Sequence, residues 1–247
     1  MRRLGDASPA ALPGPRETAA VRQASALLLD YPDADLRDRL PLIVEALASL
    51  PPHASRDAAL AFASRAAATP ERELAEHYVA TFDQQNRRCL HLTWWTDGDT
   101  RRRGMALVRL KERYRTAGWS FDGSADTAEL PDFLPAVLEF AARDPREGTR
   151  LLAEHRAGLE LLRIALTEAA TPYALLLDAV CATLPGPTPA DEAQARALAT
   201  NGPAREDVGL EPYGPMPGTP DMPAPPSAPG GRVVDLPFPT PVTGGPR

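Results

Sequence analysis

Cysteine and histidine are scarce in this chain of 247 residues, and the few that occur stand apart. Cys89 and Cys181 form neither a CxxC pair nor a cluster with histidine, so the sequence predicts no disulfide framework and no zinc site. The four histidines are scattered, and none has a partner at metal-site spacing. We therefore expect reduced thiols, as in a cytoplasmic protein, and no metal-binding residues.

Long apolar runs and leader signals are also missing. No apolar run reaches the roughly 18 residues that a membrane-spanning helix requires. Two arginines near the N-terminus are not followed by the apolar stretch of a secretory signal. The sequence thus predicts a cytoplasmic protein with no direct membrane insertion.

Motifs of catalysis and phosphate binding are absent as well. The chain contains no GxGxxG or GxxxxGK[ST] loop and no GxSxG elbow, so no catalytic residue is predicted and a small helical enzyme is a weak alternative. The net charge of −6 and pI near 5.3 disfavour nucleic-acid binding. The three arginines at 101–103 still leave a helical regulatory protein that binds nucleic acid as an alternative.

The apolar residues that are present follow helical spacing. Leu36, Leu40, Ile43 and Leu47 recur every three or four residues, which predicts an amphipathic helix that Pro41 should kink or restart. No segment alternates like a strand; residues 91–96 come nearest, and a helix is equally compatible there. We predict an all-α fold: a single domain of about eight or nine helices over residues 16–184. Gly158 is a candidate break in the long pattern at 147–169.

Proline and glycine concentrate at the two ends. Residues 185–247 hold 16 of the 28 prolines and nine of the 17 glycines. Such a composition buries too little apolar surface to offset chain entropy. We expect a disordered N-terminus at 1–15 and a mostly disordered tail at 185–247, with a short helical piece near 191–199.

One stretch, residues 76–118, combines aromatic side chains, charges and helix ends more densely than the rest. Its blocks, together with one upstream and one downstream, carry a family resemblance. They are Leu28-Leu29-Asp30-Tyr31-Pro32, Tyr78-x-x-x-Phe82-Asp83, Gly98-Asp99-Thr100-Arg101-x-Arg103-Gly104-Met105 and Glu129-Leu130-Pro131-Asp132-x-Leu134-Pro135. In this order and spacing, over about residues 20–184, they resemble the nitrate reductase molybdenum cofactor assembly chaperones, the NarJ or delta-subunit family. Members often carry histidine at the position of Phe133, so any role of that histidine is not carried over.

The resemblance implies an all-helical assembly chaperone with no permanently bound cofactor. It would bind the apo catalytic (alpha) subunit of respiratory nitrate reductase, including its N-terminal segment, and support insertion of the molybdenum guanine dinucleotide cofactor and maturation of the complex. The chaperone would not be part of the final enzyme. The resemblance also allows for contacts with cofactor-biosynthesis proteins. A chaperone for another molybdenum oxidoreductase is an alternative.

Spacing within these blocks divides the candidate residues into two sets. Asp99 should cap a helix and pair with Arg103 four residues on, and Arg101 belongs to the same structural polar centre. The second set is predicted to line a groove for the client peptide, although capping alone is the alternative for its acids. It comprises Tyr78, Phe82, Asp83, Trp94, Trp95, Glu129 and Asp132.

Limited proteolysis tests the predicted domain boundary. The composition after residue 185 predicts rapid cleavage there and a stable fragment ending near Leu184, with helix content nearly unchanged. Mass spectrometry of the fragment locates its end. A tail that resists protease would contradict the composition argument.

Overall fold

The computed structural model describes residues 12–84, 86–98, 101–119, 129–186 and 188–200. Within them the chain forms eleven α-helices, one short 3-10 helix and no strand beyond a single bridge between His91 and Phe133. The α-helices are α1 (Pro15–Leu28), α2 (Ala34–Ala48), α3 (Ala54–Ala68), α4 (Glu71–Phe82), α5 (Leu92–Asp97), α6 (Arg101–Thr116), α7 (Leu134–Arg143), α8 (Pro145–Glu154), α9 (Arg156–Glu168), α10 (Ala174–Cys181) and α11 (Glu192–Thr200). The 3-10 helix covers Asn86–Arg88. The predicted all-α fold is confirmed.

Local chemistry explains where several helices begin. The Asp33 carboxylate accepts a hydrogen bond from the backbone N–H of Leu36 at 2.9 Å and thereby caps α2. The Asp144 carboxylate caps α8 in the same way, 3.1 Å from the N–H of Glu147, with Pro145 in the first turn. Capping acids followed by helix-starting residues thus divide the chain into short helices.

The apolar faces of these helices meet in one core. Helix α1 packs against α7 and α10, α3 lies between α2 and α10, and α9 packs against α10 and α11. The predicted apolar stripe of α2 is buried in this core. None of the helices in the described part of the chain is long and apolar enough to cross a membrane.

Two helix breaks that the sequence suggested do not occur at the expected residues. Helix α2 runs through Pro41 as one helix and does not restart there. The long pattern at 147–169 divides at His155, not at Gly158. Gly158 is buried inside α9, where an added Cβ would lie 2.7 Å from the Cβ of Trp95, so its small size serves packing.

A buried arginine joins four segments of the core. Arg22 of α1 is fully buried, and its guanidinium donates to the hydroxyl of Thr149 at 2.8 Å and that of Thr183 at 3.2 Å. It also donates to the carbonyl oxygens of Ala141 and Thr183, each at 3.4 Å. Burial lowers the pKa of Arg22 to about 10, so the side chain remains charged at neutral pH. It therefore holds α1 against α7, α8 and the end of α10.

Helix α11 extends the folded body past the predicted boundary at Leu184. Glu160 of α9 is fully buried between Arg156, at 3.2 Å, and Arg163, at 2.8 Å. These two guanidinium groups donate in turn to backbone carbonyls of the connecting segment, at Pro185, at Gly186 (3.4 Å) and at Pro189 (2.8 Å). Ala195 of α11 is fully buried. The stable proteolytic fragment should therefore retain α11, and residues 201–247 lie outside the described part.

Two helical glycines make a matched test of this packing. An added Cβ at Gly148 would overlap the Cα of Ala141, whereas a Cβ at Gly104 meets no atom within 4 Å. Gly148→Ala should lower the free energy of unfolding by about 1–3 kcal/mol, because α7 and α8 must separate. Gly104→Ala should raise it by about 0.5–1 kcal/mol, because alanine favours a helix interior. Urea unfolding measures both; equal effects would contradict the close approach of α7 and α8.

Candidate functional site

An aromatic cluster lies where α3, α4 and α10 meet. The rings of Phe62 and Phe82 each lie 4.8 Å from that of Tyr173, and Tyr78 lies 4.9 Å from Phe82. The Tyr78 hydroxyl donates to the carbonyl oxygen of Leu29 at 3.3 Å. Both predicted groove aromatics, Tyr78 and Phe82, are therefore buried, so they form the floor of a surface rather than its exposed face.

The outer edge of this cluster is a half-exposed tyrosine. Tyr31 is 50% exposed, and its ring meets Tyr78 edge-on with the centroids 5.5 Å apart. It follows the C-terminus of α1 and precedes Pro32, which keeps it out of a helix. An exposed ring supported by a buried one offers a rigid apolar contact at low entropic cost.

Three carboxylates from three segments lie near enough to Tyr78 to affect its pKa. Burial raises the pKa of Tyr78, and the negative charges of Asp30, Asp83 and Glu129 raise it further. Each of these acids is exposed to solvent at least in part. We call Asp30, Tyr31, Asp83 and Glu129 the acidic patch.

Two acids of the patch, Asp30 and Glu129, repel each other. Partial desolvation raises the pKa of Asp30, and the charge of Asp33 adds to this. Partial desolvation also raises the pKa of Glu129, followed by the charges of Asp30 and Glu139. A cation placed between these carboxylates would relieve the repulsion, so the patch suits a lysine or arginine flanked by apolar groups. Leu130, which is 39% exposed beside Glu129, adds apolar surface.

Asp132, by contrast, does not face a groove. It is fully buried, and its carboxylate accepts hydrogen bonds from Nδ1 of His91 at 3.0 Å and from the Thr93 hydroxyl. The Arg103 guanidinium lies 3.7 Å away. Burial alone would raise the pKa of Asp132, but these hydrogen bonds and the positive charge of Arg103 lower it overall. Helix α7 begins at Leu134, after Asp132, and the carboxylate turns inward.

Of the residues predicted to form a polar centre, Arg103 lies at Asp132, and we call Asp132, His91, Thr93 and Arg103 the polar centre. Arg103 also donates to the Thr93 hydroxyl at 3.3 Å, which ties α6 to α5. Arg101 is exposed at the start of α6 and has no described part in this network. Asp99, the expected cap and partner of Arg103, lies outside the described residues.

The two tryptophans are neither fully exposed nor fully buried. Trp95 donates from its ring N–H to the Cys89 carbonyl at 3.0 Å and packs on the core beside Gly158. Trp94 is half-buried on the same short helix. Trp95 thus supports α9 against α5, and its assignment to a client groove stays a prediction, as does that of Trp94.

The structure splits the predicted residues into two groups and adds members that the sequence reasoning missed. Tyr78, Phe82, Asp83 and Glu129 come together, whereas Asp132 joins the structural set. In the sequence, the block at 28–32 stands out by its family resemblance and not as a site. Asp30 and Tyr31 of this block complete the patch. His91 and Thr93 likewise complete the polar centre. A search for acids flanking helix-ending prolines could have found Asp30.

The described part of the chain shows no cluster of three or more metal-ligating side chains. Its features define an all-helical protein with an acidic, aromatic patch beside a buried aromatic cluster. The chain belongs to the nitrate reductase delta subunit family, whose model matches residues 30–177. The acidic patch and the polar centre both lie within this range, whereas α11 lies beyond it.

Named relatives agree with this membership. A Bacillus subtilis protein, named a probable nitrate reductase molybdenum cofactor assembly chaperone NarJ, is 33% identical over 162 residues, which are 65% of this chain and 86% of that protein. The Escherichia coli (strain K12) chaperone NarJ is 33% identical over 154 residues, 61% of this chain and 64% of that one. These names describe assembly chaperones and not catalysts.

A mycobacterial relative shows higher local identity over less of its length. The nitrate reductase-like protein NarX of Mycobacterium tuberculosis is 50% identical over 110 residues, which are 44% of this chain. The chain spans only 16% of that relative's length. The similarity thus concerns one part of a longer protein.

A substitution at Asp132 tests the polar centre. Asp132→Asn should lower the free energy of unfolding by about 3 kcal/mol at pH 7. The substitution replaces one carboxylate oxygen by an NH2 group, so a buried donor then faces the donors that the carboxylate had accepted from. Asp38→Asn on the exposed surface of α2 is the matched control and should change little.

The pH dependence of the same variant has a definite sign. The pKa of Asp132 is lower in the folded chain, so its stabilisation is present above the unfolded pKa of about 4 and is lost as the pH falls through the folded value. Urea unfolding at several pH values should show the difference between parent and variant shrinking below about pH 4. A difference that stays constant down to acid pH would rule out a charged Asp132.

Proposed function

We propose that this protein is an assembly chaperone for respiratory nitrate reductase. It binds the apo catalytic (alpha) subunit and keeps that subunit competent for insertion of the molybdenum guanine dinucleotide cofactor and for maturation of the complex. The protein is not part of the final enzyme. The names of its Bacillus and Escherichia relatives support an assembly role.

The observation that carries the proposal is that Tyr78, whose ring packs against exposed Tyr31, feels the negative charges of acids from three segments, Asp30, Asp83 and Glu129. Acids that lie near an aromatic surface suit a short segment with basic and apolar side chains. We assign this patch to the N-terminal segment of the alpha subunit.

The arrangement of the patch suggests how the segment is held. Exposed Tyr31 and Leu130 supply apolar contact, and a basic side chain of the segment approaches the acids. Because the floor of the patch is the buried cluster of Tyr78, Phe82 and Tyr173, the surface needs little reorganisation on binding. In this proposal the chaperone supports cofactor insertion by binding this segment of the client while the client is still open to the cofactor.

Calorimetry tests the assignment with the full chain and a synthetic peptide of the N-terminal segment of the alpha subunit from the same genome. Asp83→Ala should weaken binding about fivefold, as expected for the loss of one largely exposed charge pair, and should leave the melting temperature nearly unchanged. Asp30→Asn combined with Glu129→Gln should weaken it further. Glu45→Gln, which neutralises an exposed acid of α2 outside the patch, is the matched control. This variant should bind the peptide as tightly as the parent does.

Two outcomes would count against the patch. If Asp83→Ala unfolds the protein, the residue is structural; if all acid variants bind the peptide as tightly as the parent, the client binds elsewhere. Capture of a different molybdenum oxidoreductase from anaerobically grown cells would redirect the proposal to another client of the same class.

A further inference from the structure

Helix α6 divides its basic residues between two sides. Arg103 turns inward to Asp132, and Arg113 turns inward to Glu154 at 2.6 Å and Glu147 at 3.5 Å. Ala106, Leu110 and Tyr114 on the same inward side are buried. The proposed chaperone function uses nothing on the opposite side.

The outward side carries concentrated positive charge in an acidic protein. It holds a single acid, Glu112, which pairs with Arg115 at 2.8 Å. The exposed basic residues are Arg101, Arg102, Arg109, Lys111 and Arg115. We call these five and the apolar residues between them the basic side of α6. Its charge is opposite to the net charge of −6 of the whole chain.

Two apolar side chains project from the middle of this basic side. Met105 is 59% exposed and Val108 is 61% exposed, and they lie three residues apart on one helical face. At 100° per residue, Lys111 and Arg115 lie on one flank of this pair, and Arg102 and Arg109 on the other. Gly104 lies beside the pair, and a Cβ there would meet nothing within 4 Å, so the surface is open to close approach.

We propose that the basic side of α6 binds the surface of an anionic lipid bilayer. Arginine and lysine have long apolar stems, so the flanking cations can reach lipid phosphates while Met105 and Val108 enter the headgroup region. The contact is peripheral, with the helix lying in the plane of the interface.

The extent of the apolar strip favours lipid over a helical protein partner. A helix-pairing seam repeats apolar residues over several heptads, whereas this strip is a single turn bounded by Arg101 and Glu112. The attraction must then be mainly electrostatic, which a bilayer rich in negative headgroups supplies. A nucleic acid would also supply it but would leave Met105 and Val108 exposed without a partner.

Co-sedimentation of the full chain with vesicles tests the electrostatic part. Vesicles of equal parts phosphatidylcholine and phosphatidylglycerol should bind the protein, those of phosphatidylcholine alone should not, and added salt should release it. Arg101→Glu combined with Arg109→Glu should lower the partition coefficient at least tenfold, since each basic side chain near an anionic leaflet contributes roughly fivefold. Arg39→Glu combined with Arg72→Glu, exposed arginines of α2 and α4, is the matched control and should leave binding unchanged.

The apolar part is tested separately. Met105→Ser combined with Val108→Ser should lower partitioning several-fold, whereas Leu42→Ser, which removes an equally exposed apolar side chain from α2, should not. Met105→Trp adds a spectroscopic readout, because its fluorescence should shift to the blue on anionic vesicles. Circular dichroism checks that all variants remain folded.

Three results would overturn the inference. The first is no binding to anionic vesicles at low salt. The second is binding that the charge reversals at 101 and 109 do not reduce. The third is duplex DNA competing more strongly than vesicles while the Met105 and Val108 substitutions have no effect, which would mark α6 as a nucleic-acid surface.

Discussion

The fold depends on the charged side chain of Arg22, which is buried in the interior, where a charge without hydrogen-bond partners would be strongly destabilising. Arg22 lies in the interior and is satisfied by two threonine hydroxyls and two backbone carbonyls, all neutral oxygens. Hydrogen bonds to a charged group are stronger than neutral ones, and an unsatisfied buried guanidinium is costly, so only an arrangement that supplies all these acceptors tolerates the residue. Apolar packing alone would let helices slide along one another. Arg22 fixes the register of α1 against α7, α8 and the end of α10, and through α1 it fixes the place where Asp30 and Tyr31 emerge.

The sequence predicted the helices well where their signals were local. Apolar spacing and capping acids act within a few residues, so the stripe of α2 and the all-α class followed from the pattern alone. The break at His155 did not, because Gly158 was taken as a divider although its smallness accommodates Trp95, which is 63 positions earlier in the chain. Contacts across such separations leave no mark on local periodicity.

The same limit explains the candidate site. The pairing of Tyr78 with Phe82 could be predicted because both lie on one helical face. The inward turn of Asp132 could not, because its partners His91 and Thr93 are about 40 positions away. The acidic patch unites α1, α4 and the segment before α7, and sequence spacing cannot show that three such segments converge. Even so, some residues named from the sequence do lie together: Phe82 packs against Tyr78, and Arg103 lies beside Asp132.

The anchoring of α11 shows how the end of a folded unit can be set by polar groups. Arg156 and Arg163, oriented by buried Glu160, bind backbone carbonyls of a segment rich in proline and glycine, and the small side chain of Ala195 is buried after it. Every residue has a backbone carbonyl acceptor, so neither the hydropathy nor the composition of the segment predicts this attachment. A protein trimmed at the last strongly apolar residue, Leu184, would therefore lose the acceptors of two guanidinium groups while keeping every large side chain of its core. For this chain, the attachment of α11 is better predicted from the donors on α9 than from the apolar content of the residues that they hold.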